Sequence, residues 1–277
     1  MRIIAGTLVI LFLTSSSAFA TSIVAVKDGD VIVIGADSKT TLTSEANAVG
    51  EAGSISKCKI VQAGNLFFAS AGYGGIGRTG SPCGVDPEYD LKDIITGELR
   101  GNGSISDKMG NLEKVLVATL TRIAEKARKD NAAFFLTGFA KHFVYTIIVG
   151  GLDNGELILL ARTFRLVIAP SGALTFGIGR FSCPGDCQES SATIFEGRTE
   201  AIRNYLEQHK LFLYFADPVT AVRDLVGLEI SEDSSFVGPP IDILRLTRRG
   251  VEWIQKKPLC PDIQENPLLP AKERVRG

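Results

Sequence analysis

Histidine is nearly missing from this chain: His142 and His209 are the only two in 277 residues. A serine–histidine–acid nucleophile and a histidine-built zinc centre both need imidazoles in number. His142 opens an apolar stretch, where it reads as structural, so a serine triad finds little support. Cysteine is also sparse. Cys183 and Cys187 close a short Cys-Pro-Gly-Asp-Cys loop with no histidine or further cysteine at metal-ligand spacing, so neither a metal nor a cofactor is expected. Excess charge of either sign is absent too: the formal net charge is −1. The mildly basic Lys272–Arg276 stretch reads as a solvated tail, and nucleic acid is not expected as a partner. No internal repeat is visible. The apolar run Ile3–Leu13 is too short to span a bilayer, which takes about 20 residues.

The start of the chain has the layout of an export signal. Met1-Arg2 is followed by the apolar run, a polar step at Thr14–Ser17, and the small-x-small sequence Ala18-Phe19-Ala20 that signal peptidases cut after. Residues 1–20 are therefore expected to be removed, which places the protein outside the cytoplasm, secreted or periplasmic, with no membrane attachment after processing. Thr21 would then open the mature chain. An N-terminal threonine carries a hydroxyl and a free amine on neighbouring carbons. The unperturbed amine pKa is about 7.7–8.0, so a useful fraction is neutral near pH 7. That amine can act as general base for its own hydroxyl, which it cannot do while Ala20 holds it as an amide. Any exported protein has some residue at this position, so Thr21 gains weight only from what surrounds it.

Two hairpins follow. Thr21–Val26 and Val31–Ala36 are β-branched, apolar runs around Lys27-Asp28-Gly29-Asp30, a strong hairpin signal. A two-residue loop at Asp28-Gly29 sets Thr21 opposite Ala36; a three-residue loop sets it opposite Asp37. Either register brings Asp37 close to Thr21, although Asp37 also fits as the start of a turn. The second hairpin joins Lys59-Ile60-Val61 to Leu66–Ala71 through Gly64-Asn65. Pairing Ala63 with Leu66 puts Lys59 opposite Ser70, two residues before Gly72. The glycine-rich backbone from Gly72 onward can bring an N–H close to a bound carbonyl oxygen.

Thr-Ser-Ile-Val-Ala-Val, Gly-Ala-Asp37-Ser, Ser-Lys-Cys-Lys59-Ile-Val and Ala-Ser-Ala-Gly72 resemble the first two hairpins of proteasome β subunits and their bacterial ring-protease relatives, which are N-terminal-nucleophile hydrolases. Ile147–Asp153 resembles a later strand and glycine-aspartate turn of that family. The resemblance implies a four-layer αββα sandwich, two antiparallel sheets between helix layers. It implies Thr21 as nucleophile, Lys59 as the charge beside it, Asp37 as the partner of that lysine, and Gly72 as oxyanion donor. It also implies a threonine-type hydrolase of peptide or other amide bonds. The chain departs from the pattern in two places. Phe176–Arg180 stands where the family carries Gly-Ser-Gly, and Glu232–Gly238 matches Asp-x-x-Ser-Gly only loosely. An export signal is a third departure.

The remaining order of elements is itself informative. Helices are expected near Leu91–Leu99, over Leu112–Arg128, over Ser191–Leu206 and, capped by Asp217, over Pro218–Leu228. Strands are expected at Phe143–Val149, Glu156–Phe164, Leu174–Ile178, Ile241–Leu246 and Val251–Ile254. That order suggests an α+β domain with two packed sheets between helices. The domain is expected to span residues 21–257, within the range of about 250–300 residues that one core can reach. Thr40–Gly53 reads as a flexible connection, Gly74–Gly110 as a substrate wall or lid, and residues 258–277 as an irregular tail. Five cysteines behind a signal permit disulfides, with at least one thiol left over or paired between chains. Two other functions stay open beside the hydrolase: a small-amide acylase, or a non-catalytic binding or assembly module. Self-association into a homo-oligomer is also open.

Overall fold

The structure, a computed structural model, describes residues 21–41, 54–56, 58–72, 90–130, 132–139, 143–187, 191–209, 217–258 and 260–263. The export signal, the connection after Thr41, the first part of the expected lid, Cys83, His142 and most of the expected tail lie outside the described residues.

Among the described residues the fold is α+β, with two five-stranded antiparallel sheets and four helices of ten residues or more. The elements run β1 (Ser22–Asp28), β2 (Val31–Ala36), β3 (Lys39–Thr41), β4 (Ser54–Ser56), β5 (Ile60–Ala63) and β6 (Leu66–Gly72). Then come α1 (Leu91–Arg100), α2 (Ile105–Asp130), a short α3 (Ala132–Phe134) leading into a π-turn, β7 (Phe143–Asp153), β8 (Glu156–Ile168), β9 (Leu174–Cys183) and β10 (Ala192–Gly197). The chain closes with α4 (Glu200–His209), α5 (Pro218–Glu232), β11 (Asp242–Thr247) and β12 (Gly250–Gln255). One sheet is ordered β10-β1-β2-β11-β12, the other β5-β6-β7-β8-β9, and β3 pairs with β4 alone.

Alternation along each strand builds three apolar cores. Ile23, Ala25, Ile32 and Ile34 of the first sheet meet Phe67, Ala69, Ile148 and Leu159 of the second. Val24, Val33 and Ile243, on the opposite face of the first sheet, pack on Ile202 of α4 and Val222 and Leu225 of α5. Phe68, Ile147 and Val149 of the second sheet pack on Leu91, Ile95, Leu112 and Leu116 of α1 and α2.

The first hairpin differs from both expected registers. Asp28 pairs with Val31 and Ile23 with Ala36, so Gly29-Asp30 makes the turn. Gly29 has φ +52°, and the primed turns that suit a twisted hairpin take glycine at that first turn position. The slip puts Ser22, rather than Thr21, beside Asp37: the Asp37 amide donates to the Ser22 carbonyl at 3.1 Å. The second hairpin pairs Ala63 with Leu66, and its ladder begins at Ile60, one residue after Lys59.

Two helix starts also differ. Ser104 and Asp107 form a reciprocal cap, with the Asp107 amide donating to Ser104 Oγ (3.1 Å) and the Ser104 amide to Asp107 Oδ2 (3.2 Å). This cap starts α2 seven residues before Leu112. Residues 192–197, expected to be helical, form strand β10, which pairs with β1 along its whole length. Among the described residues no helix is long and apolar enough to cross a membrane.

The described part of the segment after β12 is anchored. Cys260 is bonded to Cys58 across 202 residues of sequence, and Cys183 is bonded to Cys187. Beside Cys260, Lys257 donates through its ammonium to Asp242 Oδ2 (2.9 Å) and through its amide to Oδ1 (3.1 Å), with both side chains buried. Removing one partner of a buried pair leaves an uncompensated charge, so Lys257→Met is expected to lower stability by about 3–5 kcal/mol. Urea unfolding followed by circular dichroism measures it; a midpoint equal to wild type would show the pair to be dispensable.

Candidate active site

Thr21 sits just ahead of β1, at the sheet end where β2 passes into Asp37. Its side chain is buried, and Lys59 Nζ donates to Thr21 Oγ1 at 2.7 Å. Lys59 reaches it from the other sheet, one residue before β5. The Thr21 carbonyl accepts the Arg198 amide at 2.7 Å, which ties the start of β1 to the chain leaving β10.

Asp37 is fully buried and held by three backbone donors. Oδ1 accepts from the Ser22 amide (3.0 Å), and Oδ2 from the amides of Lys39 (2.9 Å) and Gly238 (3.1 Å). Burial pushes its pKa up to about 6. The nearby Lys59 charge and the three amides oppose that rise without cancelling it. The acid is therefore attached to the backbone around Thr21 and acts on Lys59 through its charge. Gly72 ends β6 opposite Tyr145. Its neighbour Ala71 and the Thr21 carbonyl both abut Gly197: a Cβ built there would lie 3.0 Å from Ala71 Cβ and 2.1 Å from Thr21 O. The end of β6 thus lies beside the start of β1.

Phe176–Arg180 does not reach this region. It lies within β9, paired with Phe164, Arg165 and their neighbours on β8, in the sheet opposite to Thr21. The segment that meets Thr21 is Glu196-Gly197-Arg198. No family model matches this chain. No curated protein matches it either. Solved structures similar to it include Anbu proteins. One is the helical assembly of the Anbu complex from Pseudomonas aeruginosa, at 17% identity over 82% of this chain and 81% of that chain, TM-score 0.43. A second is Anbu (ancestral beta-subunit) from Yersinia bercovieri, at 14% identity over 82% and 81%, TM-score 0.46. A third is Anbu from Hyphomicrobium sp. strain MC1, at 16% identity over 85% and 86%, TM-score 0.39. Likeness at this level carries no activity, substrate or assembly over to this chain. The assignment to the proteasome β-subunit family of N-terminal-nucleophile hydrolases is corrected, because no family model matches this chain. That assignment stood on four short motifs, and motifs of that length do not define a family without a matching family model.

Several groups around Thr21 escape a reading by motif. Arg198 forms an ion pair with Asp233, and its guanidinium lies 5.1 Å from the centre of the Phe236 ring. Beyond Arg198 opens a cavity of about 340 Å³ whose walls carry Glu200, Glu229, Glu232 and Asp233. Glu196 lies on the inter-sheet face of β10, level with Ile23, and accepts a hydrogen bond from Thr146 of β7. Desolvation pushes its pKa up to about 7, opposed by that hydrogen bond and by the Arg203 charge. The available signal was the run Phe195-Glu196-Gly197-Arg198, a charged pair around a glycine at a strand end. Among the described residues, Cys58, Asp242 and Cys260 bring potential metal ligands together, but the two sulfurs are bonded to each other and Lys257 neutralises the carboxylate.

Proposed function

We propose that this protein is a threonine-nucleophile hydrolase of peptide or other amide bonds, activated when cleavage after Ala20 frees the Thr21 amine. The observation that carries the reading is the 2.7 Å hydrogen bond from Lys59 Nζ to Thr21 Oγ1. A cation held this close to a hydroxyl lowers the cost of forming an alkoxide and disfavours a second positive charge on the neighbouring amine.

The reaction proceeds in two halves. The free α-amine takes the Thr21 hydroxyl proton as Oγ1 attacks the substrate carbonyl carbon. The Gly72 N–H is the proposed donor to the resulting oxyanion; a donor of this type is worth about 10²–10³ in rate. Collapse of the tetrahedral intermediate breaks the C–N bond, the leaving amine takes the proton, and an ester joins the acyl group to Thr21. Water then hydrolyses that ester, with the α-amine again accepting the proton. Asp37 balances Lys59 and fixes the backbone of Ser22.

The three apolar cores support a helix–sheet–sheet–helix layering for the fold. Two disulfides support a location outside the cytoplasm, where oxidising conditions preserve them. N-terminal sequencing of the mature protein, followed by mass spectrometry after treatment with an electrophilic amide mimic, tests the reading. It predicts a chain beginning at Thr21 and a covalent adduct on Thr21. A different start, or no adduct and no hydrolysis across peptide and acyl-amide panels, makes the protein a binding or assembly module. The same panels distinguish peptidase from acylase, and light scattering on the mature chain reads self-association.

The pH dependence follows from Asp37. Its pKa is raised, so ionisation is disfavoured in the fold: the stability this group contributes is present below about pH 4 and is lost as pH rises through about 6. Activity takes the opposite course, because only the carboxylate balances Lys59. A plot of log kcat/KM is expected to rise through about pH 6, and Asp37→Asn to remove that limb. An unchanged limb in the variant would assign the titration to another group, the Thr21 α-amine or Glu196.

A further inference from the structure

We infer that the Cys58–Cys260 bond and the buried Asp242–Lys257 pair form a brace that positions Lys59 against Thr21. This inference rests on the hydrolase reading for its consequence and on the geometry of the chain after β12 for its substance.

Lys59 lies one residue outside the sheet, because the β5–β6 ladder begins at Ile60. Hydrogen bonding within that sheet fixes the chain after Lys59; before it, the pairing of β4 with β3 ends at Ser56. The residue just before Lys59, Cys58, is covalently bonded to Cys260. Cys260 is itself held: its amide donates to the Lys257 carbonyl at 3.0 Å, and its Sγ lies 3.5 Å from Asp242 Oδ2. Lys257 grips both oxygens of Asp242, so the segment is pinned to β11. Asp242 pairs with Ala36 of β2, the residue before Asp37. The brace thus runs from Lys59, through the disulfide and the buried ion pair, to the strand that presents Asp37 and lies beside Thr21. It joins the two sheets at the one place where the proposed site needs groups from both. Ile263, just beyond Cys260, packs against the core between the sheets and holds the far end.

An ammonium on a flexible four-carbon stem loses its alignment once its backbone is free to shift, and a displacement of about 1 Å in a catalytic group can cost about 10² in rate. The Cys183–Cys187 bond spans four residues at the end of β9 and bridges nothing at Thr21, which makes it the internal control.

The test uses the mature full-length chain. Cys58→Ser with Cys260→Ser is compared with Cys183→Ser with Cys187→Ser, and with wild type treated with dithiothreitol. That reagent supplies two electrons and two protons to convert Cys58–Cys260 into two thiols and leaves as its cyclic disulfide. Folded fraction is read from near-ultraviolet circular dichroism, and all rates are expressed per folded molecule. Loss of the Cys58–Cys260 bond is expected to slow adduct formation at Thr21 by about 10–100-fold. The Cys183–Cys187 variant is expected to keep the wild-type rate, and reoxidation of reduced wild type to restore it. In a Lys59→Ala background the same loss is expected to cost nothing more, since groups acting through one residue are not additive. A readout independent of catalysis is acetylation of Lys59 by an N-hydroxysuccinimide ester, followed by peptide mass mapping. It is expected to speed up several-fold when the brace is cut. Unchanged Lys59 reactivity overturns the brace, whether or not the wild type hydrolyses anything. Changed Lys59 reactivity in a wild type that forms no adduct keeps the brace and overturns the hydrolase reading instead.

Discussion

Thr21→Ala is expected to abolish covalent capture by an electrophilic amide mimic and to lower amide hydrolysis by at least about 10⁴-fold, the scale on which loss of a nucleophile is felt. Thr21 Oγ1 is the atom that Lys59 approaches at 2.7 Å, so alanine removes the hydroxyl that accepts from that ammonium. Thr21→Ser keeps the hydroxyl beside the α-amine and is expected to retain measurable hydrolysis. Lys59→Ala is expected to fall nearly as far as Thr21→Ala, because the alkoxide loses its charge partner and Asp37 loses the cation that opposes its desolvation. The double variant is expected to be little worse than either single one, since the two residues act as a unit. Single-turnover kinetics on the mature chain measure all four. Hydrolysis that survives Thr21→Ala at the wild-type rate would end the threonine reading. A Lys59→Ala variant that unfolds, yet keeps full activity per folded molecule, would make Lys59 structural.

Gly197→Ala is expected to cost about 10²-fold in adduct formation without any change to a reacting group. Gly197 has φ +83°, a backbone region that L residues rarely adopt, and its added Cβ would lie 2.1 Å from the Thr21 carbonyl oxygen. That oxygen already accepts the Arg198 amide, so neither it nor the backbone of Gly197 can move without releasing the bond that seats Thr21. The clash is with backbone, and no rotamer change relieves it. Gly155→Ala separates strain from displacement, because Gly155 has the same φ of +83° with nothing within 4 Å of its Cβ position. It carries the conformational cost, about 1–2 kcal/mol, and is expected to leave Thr21 reactivity unchanged. Adduct kinetics beside thermal melts for both variants measure the difference; equal reactivity at Thr21 in both would show that Gly197 does not seat the nucleophile.

Features legible in the sequence are those governed by neighbours in the chain. Ala63↔Leu66 pairing follows from two turn residues between apolar runs, and α5 begins where Asp217 accepts the Thr220 amide at 2.9 Å. The apolar stripe from Leu112 identified α2, while its start, set by the Ser104–Asp107 cap, was missed although Ile105 and Met109 continue the same stripe. Thr21 and Lys59 were singled out by their local patterns, and the structure brings them into hydrogen-bond contact.

Only the tertiary structure decided the rest, and in each case through a partner distant in sequence. Thr193, Ile194 and Phe195 favour an extended chain, but what fixes Ala192–Gly197 as a strand is pairing with β1, about 170 residues earlier by the register. The hairpin register at Gly29-Asp30 set whether Asp37 faced Thr21 or Ser22, and a slip of one residue exchanges the faces. Arg198, Asp233 and Glu196 gained their places around Thr21 because β10, α4 and α5 converge there, which no spacing along the chain encodes. The segment after Pro258 is short of periodic apolar residues and reads as a tail. A disulfide and a buried ion pair, joining residues that the sequence keeps apart, hold its residues 260–263 against the sheet that carries Asp37.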